Sequence, residues 1–282
     1  MQELDEHINK VKHLPPTPRI LPELLSLLNK PNIDNTRVVS LIGIDPSLTA
    51  NVLQLCNSAY FASSSTTCDL QEAVTRLGFQ TIYRMVAAVS GAKALSAPQK
   101  GYGIDGGELW KHSVTAAVAA QLVAKRSGDD ENLVFTAYLL HDIGKIILSG
   151  ALENIYATLI QQTQANQQCL LEAEKKLLGV QHAEIGGRLL ARWKFPPNIV
   201  AAVWFHHSPA NANPHQRLAS YIYVGNMIAH FMGHGYGHQA FAMKGRAESL
   251  EILDISADLL PHFMIETFEQ LQVIETLFHL SG

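Results

Sequence analysis

The chain has 282 residues, enough for one large domain or two modest ones around a sizeable core. Hydrophobic residues make up 47% and charged residues 16%, a balance that excludes a disordered chain. A net charge of −4, with no long basic run, argues against direct binding of nucleic-acid phosphates as the main activity. Three cysteines, Cys56, Cys68 and Cys169, form no CxxC pair and fit a reducing compartment. Residues Met1 to Glu6 are polar and acidic rather than a signal peptide, and no apolar run approaches membrane-spanning length. A cytoplasmic protein without a membrane partner is expected.

The chain reads as helices nearly throughout, because apolar residues recur three and four apart and period-two alternation is hard to find. Pro15, Pro16 and Pro18 make an extended lead-in that cannot be helical. A first stripe follows at Leu21, Leu24, Leu25 and Leu28, and a second helix covers Thr36 to Ile42. Asp45 and Pro46 restart the chain as cap and first helical residue. Asp69 caps a helix that stops at Gly78, and Gln80 to Leu95 is a small-residue helix suited to close packing. Ser96 to Gly107, with Pro98 and four glycines, is the best boundary between two helical blocks.

The second block opens with a helix over Leu109 to Lys125; Asp129 and Asp130 then cap one that runs to Leu140. Further helices are expected over Leu152 to Gln164, Leu170 to Leu178, His182 to Trp193 and Asn198 to His206. A polar loop covers Ser208 to His215, and Leu218 to Met232 is helical until Gly233 to Gly237 breaks it. The last helix runs from about Ala257 to Leu280, with Pro261 in its first turn.

The chemistry concentrates at His141-Asp142-Ile143-Gly144-Lys145. Adjacent imidazole and carboxylate ligands suit a divalent metal. His141 continues the stripe of Val134, Ala137 and Tyr138 and so points inward, with Asp142 about 100° round the helix. Glu108 and His112 share a face that continues through the small residues Thr115, Ala116 and Ala119. His206 and His207 end the stripe of Ile199, Ala202 and Val203, and His182 stands near the start of its own helix. Imidazole with carboxylate and no thiolate suits Fe, Mn, Zn, Ni or Co and argues against a structural zinc knot. Such a centre would polarise a phosphoryl oxygen and lower the pKa of bound water, and Lys145 would neutralise phosphate charge. His230, His234 and His238 form a second, glycine-interrupted cluster without an expected role.

These motifs resemble the HD superfamily of metal-dependent phosphohydrolases. The second half is similar to the HD-GYP branch of cyclic-dinucleotide phosphodiesterases in Lys111-His112-Ser113, in Leu140 to Lys145 and in His206-His207. The first half is similar to the HDOD, or HD-related output domain, family. That likeness is carried by Leu14-Pro15-Pro16-Thr17-Pro18, Ile44-Asp45-Pro46-Ser47-Leu48-Thr49, Cys56-Asn57-Ser58-Ala59, Ala73 and Leu77-Gly78. The resemblance implies an all-α HDOD fold over residues 12–212. An N-terminal helical lobe, 12–98, would pack on an HD-like lobe, 99–212, and a helical extension would cover 213–282.

By the HD-GYP pattern the ligands would be His112, His141, Asp142, His182, His206 and His207, with Glu108 as an extra acidic ligand. Asn226 stands where the pattern has its closing aspartate, and a neutral amide is a weaker ligand than a carboxylate. His206-His207 is followed by Ser208-Pro209-Ala210-Asn211 instead of the Glu and Gly-Tyr-Pro loop of those enzymes. Asp142 and Lys145 would carry any catalysis. HDOD domains are bacterial and mostly regulatory, so the implied protein is a signalling module that retains one or more divalent ions (Fe, Mn, Zn or Ni) and works with a separate protein partner. The alternative is an active phosphohydrolase acting on a phosphomonoester, a nucleotide or a cyclic dinucleotide.

Overall fold

The computed structural model describes residues 20–28, 33–58, 61, 69–153, 155, 158, 163, 170–235 and 247–279. The proline lead-in, Ala59, Cys68, Cys169, Gly237, His238 and most of the helix expected over Leu152 to Gln164 lie outside the described residues. The fold is all-α, and no strand occurs among the described residues.

By packing, the chain divides into two compact units, one of residues 18–90 with 268–282 and one built around residues 91–267. The smaller unit contains α1 (Ile20–Leu28), α2 (Asn35–Gly43), α3 (Pro46–Cys56) and α4 (Leu70–Leu77). The division falls inside α5 (Phe79–Leu95), ahead of the glycine-rich loop that the composition marks. Short polar side chains start these helices. The Asp34 carboxylate accepts from the backbone N–H of Thr36 at 3.0 Å and that of Asp69 accepts from Gln71 at 2.9 Å, filling otherwise orphaned donors. Gly78, at φ 77°, stops α4 where a residue with a Cβ would be strained. Leu21, Leu24, Leu25, Val38, Ile42, Val52 and Val74 are buried, and each such side chain contributes roughly 1.5–3 kcal/mol by leaving water.

The larger unit contains α6 (Glu108–Ser127), α7 (Glu131–Leu139), α8 (Ile143–Leu152), α9 (Leu170–Leu178), α10 (His182–Arg192), α11 (Pro197–Trp204), α12 (Gln216–Phe231) and α13 (Ala247–Leu253). α14 (Leu260–His279) follows, with Pro261 as its second residue. The helix expected from Asp130 to Leu140 ends at Leu139, and a second one, α8, begins at Ile143. Its apolar positions Ile143, Ile146 and Ile147 have helical spacing, but Gly144 and Gly150 mask the pattern. The sequence reading did not expect α13. Asp130 alone caps α7, accepting from Asn132 and Leu133 at 3.0 Å. Its neighbour Asp129 instead binds Arg217 Nε at 2.7 Å and Tyr221, tying the start of α7 to α12.

α6 packs on α7 and α12, α10 packs on α8 and α11, and α11 touches both α7 and α12. α12, which the sequence assigns to a C-terminal extension, is therefore integral to this unit. Two contacts require glycine. A Cβ on Gly225 would stand 2.6 Å from the Ala116 carbonyl, so α12 reaches α6 only without one. A Cβ on Gly144 would stand 2.0 Å from the His182 carbonyl and 2.8 Å from Gly186 N. The Gly144–Gly186 crossing brings the start of α8 onto the start of α10, and with it Asp142 onto His182. The stretch Glu131–Gly150 is long and apolar enough to cross a membrane, but 83% of its apolar 18-residue window is buried inside the protein, in α7, the turn and α8.

Candidate metal centre

Five histidines, one aspartate and one lysine meet inside the larger unit. His112 lies on α6, one turn deeper than Glu108. His141 and Asp142 occupy the turn between α7 and α8, and Lys145 lies in the first turn of α8. His182 opens α10, and His206 and His207 form the turn after α11. The ring centroids form a connected set: His112 to His141 5.5 Å, His141 to His206 5.0 Å, His206 to His182 5.6 Å and His182 to His207 5.0 Å. Asp142 is central to it, with Oδ2 3.3 Å from His141 Nε2, and Oδ1 3.3 Å from His182 Nε2 and 3.9 Å from His206 Nε2. Lys145 Nζ donates to Asp142 Oδ2 at 2.7 Å, and both side chains are buried.

Four rings have their proton placed by a neighbour that can only accept. Nδ1–H of His112 donates to the His234 carbonyl at 2.8 Å, that of His141 to Tyr138 O at 2.7 Å and that of His206 to Val203 O at 2.6 Å. Nδ1–H of His182 donates to the Glu174 carboxylate at 2.8 Å. Each of these rings therefore turns its Nε2 atom toward its neighbours. His141 Nε2 and His206 Nε2 are buried and make no hydrogen bond among the described residues, and His182 Nε2 lies 3.0 Å from His207 Nε2. The two inward-facing Nε2 atoms that lack a hydrogen bond, those of His141 and His206, stand beside the Asp142 carboxylate, and this imidazole–carboxylate set fits a divalent ion. The ligand atoms of His112, His141 and Asp142 all lie within 4.8 Å of one another, as do those of His182, His206 and His207. Either group can hold a metal, and the Asp142 carboxylate touches both.

The electrostatics agree. Burial, aided by neighbouring imidazoles, holds His112, His206 and His207 well below the usual histidine pKa, in the neutral state that binds metal. Burial would lower His182 too, but the Glu174 charge reverses the direction and raises it. Burial would raise Asp142, yet His141 and Lys145 hold it well below the carboxylate range.

Two expected ligands are placed differently. Glu108 is exposed in the first turn of α6 and joins neither group, because its neighbour one turn on, His112, is the one that faces inward. Asn226 is buried on α12, and its Oδ1 makes no hydrogen bond among the described residues. Asp142 is not 100° round a helix from His141; the chain leaves α7 first, so both side chains reach the same interior.

Three contributors carry no expected role in the sequence. Glu174 is fully buried on α9 and contacts His182. Its signal was an acidic residue on the apolar stripe of Leu170, Ala173 and Leu177. His234 holds His112 through its carbonyl and meets Thr115 Oγ1 through Nδ1 at 2.7 Å. The His230 ring stands 5.3 Å from that of His112, and burial and Lys145 push its pKa down to about 4.

Known proteins agree with this architecture. The sequence profile of the HDOD domain matches residues 14–209. A crystal structure of an HDOD domain protein of unknown function from Geobacter sulfurreducens is 20% identical. It aligns over 100% of this chain and 97% of that one with a TM-score of 0.75, a likeness of fold. A Shewanella amazonensis protein named "Putative phosphohydrolase" is 28% identical, covering 95% of this chain and 93% of that one with a TM-score of 0.68. An uncharacterized Treponema pallidum protein is 27% identical over 79% of this chain but 44% of its own length. The chain thus spans less than half of the curated relatives it matches. The matched span takes in α1 to α11, from the capped helices of the smaller unit to the His206-His207 turn, and the chain belongs to the HDOD family.

Proposed function

We propose that this chain is a bacterial signal-transduction protein in which an HDOD domain retains a divalent-metal centre and acts through a protein partner. One observation carries the reading: four histidines whose Nδ1 protons are already committed turn their Nε2 atoms inward around one buried carboxylate. His112, His141, Asp142, His182 and His206 are each about 1% exposed, and His207 alone among the ligands is half-buried. Ligands this enclosed suit an ion held as part of the fold better than one offered to a bulky substrate. Iron, manganese, zinc and nickel match the imidazole–carboxylate set. A cytoplasmic location accords with the buried free Cys56.

A second reading, a phosphohydrolase, is favoured by the buried Lys145–Asp142 pair and by the likeness to the Shewanella amazonensis protein. A divalent ion bound there supplies Lewis acidity toward a phosphoryl oxygen or a water. In that reading Lys145 would leave Asp142 to neutralise phosphate charge, and Asp142 would hold the ion and orient the histidines.

The experiment is a turnover assay on metal-loaded protein with phosphomonoesters, nucleotides and cyclic dinucleotides, run beside Asp142→Ala and Lys145→Ala. The signalling reading predicts no turnover above that of the variants, together with recovery of a specific partner from a bacterial lysate. Turnover that both substitutions abolish would replace it with the phosphohydrolase reading.

A further inference from the structure

Asp142 and Glu174 are the two buried carboxylates among the described residues, and both contact His182. A fully buried carboxylate is costly unless each lone pair finds a donor. Glu174 has three donors around it. The backbone N–H of His182 donates to Oε2 at 2.8 Å, the His182 Nδ1–H to Oε1 at 2.8 Å and Oε2 at 2.9 Å, and the Tyr102 hydroxyl to Oε1 at 2.9 Å. Tyr102 is held in turn, because the 100–102 turn that carries it is fastened to α8 by Gly101 N–H donating to Ser149 Oγ at 3.1 Å. No such network is needed to close α9 onto α10, which a leucine at 174 would do at less cost.

Resting on the metal-centre reading, we propose that Glu174, oriented by Tyr102, is a positioning residue for His182. It fixes the ring tautomer and supplies negative charge to the centre through the imidazole. A carboxylate behind a ligating histidine makes its Nε2 a stronger donor than a carbonyl does. The other three fixed histidines of the centre lean on carbonyls. Negative charge is otherwise scarce here, because the amide at Asn226 offers none and the Asp142 charge is shared with Lys145. Glu174 thus adds negative charge to the half of the centre whose own ligands are all imidazoles, His182 with His206 and His207.

The test is titration of the metal-free full chain with Zn²⁺ against a competing chelator dye, for wild type and Glu174→Gln, with thermal melting of both metal-free proteins. Glutamine keeps the shape and one acceptor oxygen but removes the charge. The expected result is a roughly 10- to 100-fold loss of affinity at one class of Zn²⁺ sites, with the other class unchanged. Wild-type affinity at every site in E174Q would overturn the assignment, as would a lower melting temperature with affinities intact, which marks a packing role. Should E174Q not fold, Tyr102→Phe decides. It frees the carboxylate from its hydroxyl, and a several-fold weakening of the same class is expected, whereas unchanged binding overturns the proposal. A wild-type protein that binds no Zn²⁺ defeats the metal-centre reading itself, and this inference with it.

Discussion

The two candidate ligand groups, each of three side chains, are held in place differently. His112 and His141 brace their Nδ1 atoms on carbonyls and share the first group with a carboxylate, Asp142. The group of His182, His206 and His207 includes no carboxylate of its own; Asp142 reaches it from the first group, and Glu174 stands behind His182. Charge enters the first group through its own ligand and the second through neighbouring carboxylates. Ligand identity can be written in a short motif, whereas support from behind is distributed over α9 and the 100–102 turn.

The sharpest way to break this comparison is Asp142→Ala. Its oxygens lie within 4 Å of His141, His182 and His206. Both groups should lose metal, and loss of the buried ion pair with Lys145 should destabilise the fold by about 3–5 kcal/mol in urea unfolding. Retention of metal at either group would show that the carboxylate is not shared. Next in size is Gly144→Ala. The added methyl meets the His182 backbone, so α8 and α10 must separate. Melting temperature and metal content should fall together; a stable variant that holds wild-type metal would detach the helix crossing from the centre.

Smaller and more selective effects come from His112→Ala and His182→Ala. Each should remove metal from its own group and leave the other's affinity largely intact, as read by the Zn²⁺ titration. Parallel loss at both groups from either variant would merge them into one site.

Acidification is the gentlest test. His112, His206 and His207 have folded pKa values below the reference 6.5, so as pH falls past 6.5 the unfolded chain takes up protons that the folded chain refuses. That destabilises the metal-free fold. His182, raised, works the other way in its window above 6.5, gaining stability as pH falls. His230, pushed down to about 4, acts with the first three, and with four groups against one the urea midpoint of the metal-free protein should drop from pH 7 to pH 5.5. A flat or rising profile would mean that these rings are not buried as neutral groups.

The helices and the set of histidines that come together were legible in the chain because both are written locally. Asp69 and Gly78 mark the ends of α4 by cap chemistry and backbone freedom, and His141-Asp142 is a contiguous motif. What was not legible depends on chain direction and on long-range packing. Nothing local says that α7 stops at Leu139 so that His141 and Asp142 share an interior. Glu174 sits in a run, Leu-Leu-Glu-Ala-Glu-Lys-Lys, that reads as a solvated helix, and only its place on the apolar stripe separates it from Glu172. Glu108 erred in the opposite sense: sharing a face with His112 does not bury a residue of the first turn. His234 contributes a main-chain carbonyl, which no side-chain pattern encodes.

The central claim, that these histidines and Asp142 jointly hold a cation, is tested most directly by elemental analysis of protein purified without a histidine tag, beside a His141→Ala/Asp142→Ala variant of the same preparation. The account predicts Fe, Mn, Zn or Ni at or above one ion per wild-type chain and a near-empty variant. A metal-free wild type, or equal metal in both proteins, would contradict it.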